Sequence, residues 1–189
     1  LAVASADVGG RFVVVEVGAR NAPWAVRAMT AARALGRSRS WFAVLVEPMA
    51  SHVQWIRHHF AMNGFRPETY RVISRPFGRR GVSLSETLRG LEHVDFLDID
   101  AQQGEADLVL SAADAEALRR VRRVHIEGHR DAISEAVIAT LKLQGFNTLR
   151  NASARVYDVY NSSVVGRVQF RGASIYAANR NASNTMRGE

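Results

Sequence analysis

The segment 12–17 reads FVVVEV, a nearly unbroken run of β-branched and aromatic side chains. A strand with apolar residues on both faces has to be covered on both faces. Chains of this kind achieve that with a parallel sheet flanked by helices. The pattern recurs along the chain. A second continuous apolar strand is expected at 41–46 (WFAVLV), a weaker third at 69–74, a fourth at 94–100 (VDFLDID) and a fifth at 121–127.

Helical spacing fills the intervals. The first helix runs to about Leu35 with Val26, Met29 and Leu35 on one side. Asn21 or Ala22 is its expected cap, Pro23 lies in its first turn and Gly36 stops it. The second spans 51–62, with Val53, Ile56 and Phe60 one turn apart and Asn63-Gly64 behind them. Ser83 caps a short third helix, with Glu86 at capping-box spacing. Further helices are expected at 105–119 and 131–143. After Gly145 only strand patterns remain, at 154–160 and 167–178, and they predict an antiparallel closing pair. The expected class is α/β: a doubly wound, Rossmann-like sheet, mostly parallel with an antiparallel C-terminal hairpin, and helices on both faces. The 189 residues suit one domain, expected over 1–180, with 181–189 reading as a disordered tail.

Composition narrows the partners. No apolar run approaches the roughly 20 residues of a membrane span, and the first residues lack the basic leader of a signal peptide. The absence of Cys rules out disulfides and thiolate metal sites and fits a reducing, cytoplasmic setting. The net charge is +7, and all but one of the 25 basic residues are Arg. Because Arg is scattered along the chain, the charge reads as compositional bias rather than as a nucleic-acid footprint. Its densest cluster, 119–123 (RRVRR), falls at a helix end, where cations complement the dipole.

The chemistry is expected at the strand ends. Glu16, Glu47 and Asp100 each close a strand that leads into a helix. Open α/β sheets bind ligands along that carboxyl edge, and an acid after the second strand can accept both hydroxyls of a ribose. Asp100 is followed at once by Gln102, Gly104 and Glu105. The first turn, Gly18 to Trp24, lacks the glycines of a dinucleotide fingerprint, since Arg20 and Ala22 stand where glycine is needed. That disfavours a pyrophosphate and suits a cofactor held by hydroxyl and amine contacts. His52, His58 and His59 lie on a surface helix without a carboxylate at helical spacing, so no metal site is expected there. Trp24, Trp41 and Trp55 read as core or pocket wall.

The block VDFLDIDAQQGEADLVLSAA resembles the signature of the FkbM family of S-adenosylmethionine-dependent methyltransferases, with Asp100, Gln102 and Glu105 on its acidic and amide positions. VVEVGARNAPWAVRA is similar to that family's first cofactor loop, and LVEPMASHVQWIRHHFAMNGF to its second strand and helix. VRRVHIEGHRDAI is similar to its histidine segment, and GRVQFRGASIYAANR to its last hairpin. The resemblance spans nearly the whole chain and implies the methyltransferase form of the doubly wound sheet.

It also implies S-adenosylmethionine as cofactor and a hydroxyl of a sugar, glycan or secondary metabolite as methyl acceptor. Glu16, Gly18, Ala19, Asn21 and Trp24 would then line the methionine side. Glu47 would hold the ribose, Ser74 would lie toward the adenine, and Asp100 and Gln102 would share the cofactor and acceptor edge. His129, directly after the fifth strand, is the first candidate for the base that takes the acceptor's proton, and Asp100 the second. His125 reads as a packed core residue. The expected partner is a small-molecule or glycan acceptor, and the antiparallel ending offers an edge for a homo-oligomer. The rival readings are a nucleic-acid methyltransferase and a Rossmann-like binding module without catalysis.

Overall fold

A computed structural model of the chain describes residues 9–101, 111–128, 131–152, 157–162, 166–171 and 173–180. Strand β1 (Arg11–Val17) lies inside the sheet, flanked by strands on both sides, as its two-sided apolar pattern requires. Around it run α1 (Pro23–Leu35), β2 (Ser40–Val46), α2 (Ala50–Met62), a 3₁₀ turn at Pro67–Thr69, β3 (Tyr70–Ile73), α3 (Leu84–Thr87), β4 (Phe96–Ile99), α4 (Ala112–Leu118), β5 (Arg123–Gly128) and α5 (Asp131–Leu143). Four strands follow: β6 (Phe146–Ala152), β7 (Tyr157–Ser162), β8 (Gly166–Arg171) and β9 (Ala173–Asn179). The seven-stranded sheet has the order β3-β2-β1-β4-β5-β9-β6. β1 to β5 pair in parallel, and β9 runs antiparallel between β5 and β6.

The pleat of β1 divides the core in two. Val13, Val15 and Val17 join Leu84, Leu88, Leu118, Val137 and Leu141, so α3, α4 and α5 cover that face. Phe12 and Val14 join Ala25, Met29, Ile56 and Phe60, so α1 and α2 cover the other. Each Val, Leu, Ile, Phe or Met side chain taken fully from water contributes roughly 1.5–3 kcal/mol. Among the described residues no helix is long and apolar enough to cross a membrane.

The ending holds the expected antiparallel pairing but divides it over two sheets. β9 finds its sheet partners in β5 and in β6, and β6 was not expected as a strand. β7 and β8 pair with each other as a separate ribbon. The sequence FNTLRNA of β6 carries polar residues at most positions, as an edge strand can, and so lacks the apolar signal of the buried strands. The fourth strand is shorter than expected because Val94 makes only an isolated bridge, to Val121. α4 is described from Ala112 with Ser111 as its cap; the expected start near Glu105, like the tail at 181–189, lies outside the described residues.

Three arginines of the 119–123 cluster have partners within the protein, one of them buried. Arg120 donates to the Leu91 carbonyl, Arg122 pairs with buried Asp95 and Arg119 pairs with Glu116. Asp95 also accepts the Val13 N–H at 2.8 Å. One carboxylate therefore ties β1, the entry to β4 and the entry to β5 together at the amino edge of the sheet.

Candidate functional site

Parallel strands bring their carboxyl ends to one edge. Gly18 follows β1, Glu47 follows β2, Ser74 follows β3 and Asp100 follows β4. The topology thus gathers the expected residues, and the local geometry shows how.

The first turn keeps a glycine-type backbone without the glycines. Gly18 has φ 76°, Arg20 φ 50° and Ala22 φ 55°, so alternate residues take left-handed conformations. These are the spacings of a G-x-G-x-G turn, and two of the three positions carry side chains. Arg20 and Ala22 depart from the glycine pattern in side chain only. Gly18 has no such freedom. A Cβ there would lie 1.9 Å from the Asp100 carbonyl oxygen, so the β1 and β4 turns touch backbone to backbone.

Most N–H donors of this turn are engaged within the protein. Gly18 and Ala19 both donate to the Val46 carbonyl, each at 3.0 Å, and Ala22 donates to the Ala19 carbonyl. Arg20 donates to Glu47 Oε2 at 2.7 Å. Pro23 has no N–H. Trp24 and Ala25 donate to the two oxygens of Glu16, at 3.4 and 2.6 Å. A pyrophosphate needs such donors at the helix N-terminus, and here Glu16 already fills that place.

Glu16 is buried at 2% exposure. Its burial, with Asp98 beside it, pushes its carboxyl well above the usual range, against the pull of the α1 N–H groups. It therefore braces α1 from below the turn. Strand register continues the row: Glu16 faces Asp98, Asp98 faces His125 and His125 faces Tyr176. The Asp98 carboxylate meets His125 Nδ1 at 2.5 Å. Burial raises Asp98, and the bond to His125 opposes that rise. Trp24 lies over this row, its ring 5.6 Å from that of His125. The indole expected on the methionine side is thus packed against the α1 face of the sheet.

Glu47, 4% exposed, is the hub of the second turn. Besides Arg20, it accepts the Met49 N–H at 2.9 Å and meets His52 Nδ1 at 3.1 Å, both on Oε1. A carboxylate offers about four acceptor sites, so one site on Oε2 stays open to a hydroxyl. A second hydroxyl would replace His52. His52 does have a carboxylate partner, five residues back across the β2–α2 turn rather than at helical spacing. Asn21 gives its carbonyl to His59 Nδ1 at 2.7 Å. Ser74 is exposed, and Asp100 is half-buried with its N–H on the Val17 carbonyl at 2.9 Å. Gln102, Glu105 and His129 lie outside the described residues.

This sheet order, with one antiparallel strand set between β5 and the edge, decides the comparison with solved structures. The fold is that of the Rossmann-like methyltransferases. The chain is similar to the precorrin-6y C5,15-methyltransferase of Geobacter metallireducens GS-15, with TM-score 0.58 and 12% identity over 94% of this chain and 84% of that one. It is similar also to the precorrin 8w decarboxylase of Methanobacterium thermoautotrophicum, with TM-score 0.57 and 12% identity over 91% and 83%. A third likeness is to the ribosomal protein L11 methylase of Lactobacillus delbrueckii subsp. bulgaricus, with TM-score 0.53 and 13% identity over 94% and 74%. At these identities the likeness is one of fold. No family model and no curated protein matches the sequence. Within the methyltransferase fold, sequence reasoning located the strand-end acids. It missed the Asp98–His125 pair and the Glu47–His52 bond, because both depend on register between segments distant in sequence or on the path of a turn.

Proposed function

We propose that the chain is an S-adenosylmethionine-dependent methyltransferase acting on oxygen, of the FkbM type that its fourth-strand block resembles. The acceptor is a hydroxyl of a sugar, glycan or secondary metabolite. One observation carries the cofactor class: the first turn has spent most of the N–H donors that a phosphate would need, while Glu47 and Asp100 stand at the ends of β2 and β4. Such an edge suits a ligand that is cationic, rich in hydroxyls and free of phosphate.

The residues fit that group. Gly18 lets the turn close on the Asp100 backbone. Glu47 keeps an acceptor site for a ribose hydroxyl. When bound, S-adenosylmethionine supplies an electrophilic methyl group with a neutral thioether as leaving group. The protein's task is then to align the acceptor oxygen and exclude water, where orientation is worth about 7–11 kcal/mol. His129 takes the acceptor's proton in this reading, and Asp100 holds the cofactor's amine or serves as the alternative base. The protein works in the cytoplasm.

The test is thermal unfolding with and without S-adenosylmethionine and S-adenosylhomocysteine, repeated on Glu47→Gln and Glu47→Ala. At ~100 times its dissociation constant a ligand adds about 2.7 kcal/mol to the folded state. An upward shift that shrinks in both variants supports the reading, and acceptor screening follows. No shift with either compound at millimolar concentration overturns it.

A further inference from the structure

A groove of about 420 Å³ lies beside the first turn and along α2, lined by Arg20, Asn21, Trp55, His58, His59 and Met62. None of these residues ends a strand of the sheet. The groove meets the carboxyl edge only at the Arg20–Asn21 turn, where Glu47 accepts the Arg20 N–H, and runs away from it along α2. Its chemistry is unlike that edge too, since no carboxylate lines it. Trp55 is 50% exposed and Met62 72% exposed, an unusual outlay of apolar surface on one short helix face.

Its walls are held in place from within. Glu47 accepts the Arg20 N–H on one oxygen and meets His52 on the other. The His52 ring stacks on the Trp55 indole, with centroids 4.7 Å apart and planes at 28°. One buried carboxylate thus fixes both the guanidinium-bearing turn and, through His52, the exposed indole. The Asn21 carbonyl meets His59 Nδ1 at 2.7 Å and so ties the first turn to α2 across the groove. Arg20 holds a left-handed conformation here although glycine would hold it more cheaply.

We propose that this groove is a second binding site, for a small planar aromatic anion. The ring lies on Trp55 and Met62, and the negative charge meets Arg20 with His58 and His59 beside it. An aromatic face supplies area, and a guanidinium supplies a planar donor fork matched to a carboxylate. The volume falls in the range of small-molecule pockets, about 300–1,000 Å³, which favours a one- or two-ring ligand over a polymer. The inference does not depend on the cofactor assignment.

The test uses the full chain and three probes of one shape: 1-naphthoate, the neutral 1-naphthylmethanol and the cationic 1-naphthylmethylamine. Binding is measured in every protein by isothermal titration calorimetry and located by NMR at the Trp55 indole N–H signal, assigned through Trp55→Ala. Two variants carry the argument. Trp55→Ala removes an exposed ring, and Arg20→Gly removes the guanidinium at a backbone position that suits glycine. The expected result is saturable binding of 1-naphthoate that weakens about tenfold or more in each variant, with the neutral probe at least about fivefold weaker and the cation weaker still. The inference is overturned by any of three results: no saturable shift of the Trp55 signal at about 10 mM naphthoate, equal binding of the three probes, or tighter binding of a short oligothymidylate through the same two residues. Failure of the cofactor test would leave each of these readouts unchanged.

Discussion

Gly18 and Asp100 meet across the carboxyl edge so closely that only a hydrogen fits between the Gly18 Cα and the Asp100 carbonyl oxygen; a Cβ would stand 1.9 Å from that oxygen. The obstacle is backbone on both sides, so no side-chain rotation relieves it. Gly18→Ala also places a side chain at φ 76°. The expected cost is several kcal/mol, beyond the roughly 1–2 kcal/mol of the left-handed conformation alone. Urea unfolding measures it, and a loss under about 1 kcal/mol would show that the two turns separate readily.

Arg20 and Ala22 give the opposite expectation. Both are left-handed, at φ 50° and 55°, and both carry a Cβ. Arg20→Gly and Ala22→Gly relieve local strain while adding freedom to the unfolded chain. The strain is the larger effect at exposed Arg20, so Arg20→Gly is expected to gain roughly 0.5–1 kcal/mol, whereas Ala22→Gly also gives up a buried core methyl and is expected to be near neutral. Thermal unfolding of the single and double variants checks this. A drop in stability from Arg20→Gly would mean that the turn does not hold the left-handed conformation in solution.

Glu16 sets a pH dependence. Its folded pKa lies well above the ordinary 4.5, because burial and Asp98 disfavour the charged form. A raised carboxyl contributes stability that is full below its unfolded value and is lost as pH rises through the folded value. Stability should therefore decline from about pH 4.5 upward by this group's contribution. In Glu16→Gln that part of the slope disappears. Denaturant unfolding of both proteins across pH 5 to about pH 8 makes the comparison, and parallel curves would overturn the assignment.

Asp95 carries a separate load at the other edge of the sheet. It is 1% exposed, pairs with Arg122 at 2.8 Å and accepts the Val13 N–H at 2.8 Å. Asp95→Ala leaves a half-buried guanidinium and a strand N–H without this acceptor. The expected cost is about 3–5 kcal/mol, with cofactor affinity of the remaining folded protein unchanged. A calorimetric titration of S-adenosylhomocysteine would separate the two effects.

The sequence by itself determined the order of elements through α5 and the edge where the acids collect. A continuous apolar run such as FVVVEV admits few environments, and strand ends followed by helix patterns fix which residues reach the carboxyl edge. It did not determine where the last strands pair. β6 is polar enough to read as loop and becomes a strand only because β9 offers it an edge. Nor did it determine what the acids do. Glu16, Glu47 and Asp98 look alike as strand-end carboxylates. Only the packed structure turns Glu16 onto the α1 amides, Glu47 onto Arg20 and His52, and Asp98 onto His125. The left-handed turn shows the same division. The residue types at 20 and 22 argue against a glycine turn, yet the contacts around it force that backbone on them. Local propensity is worth about 1 kcal/mol per residue, and the closure of two strands against each other outweighs it.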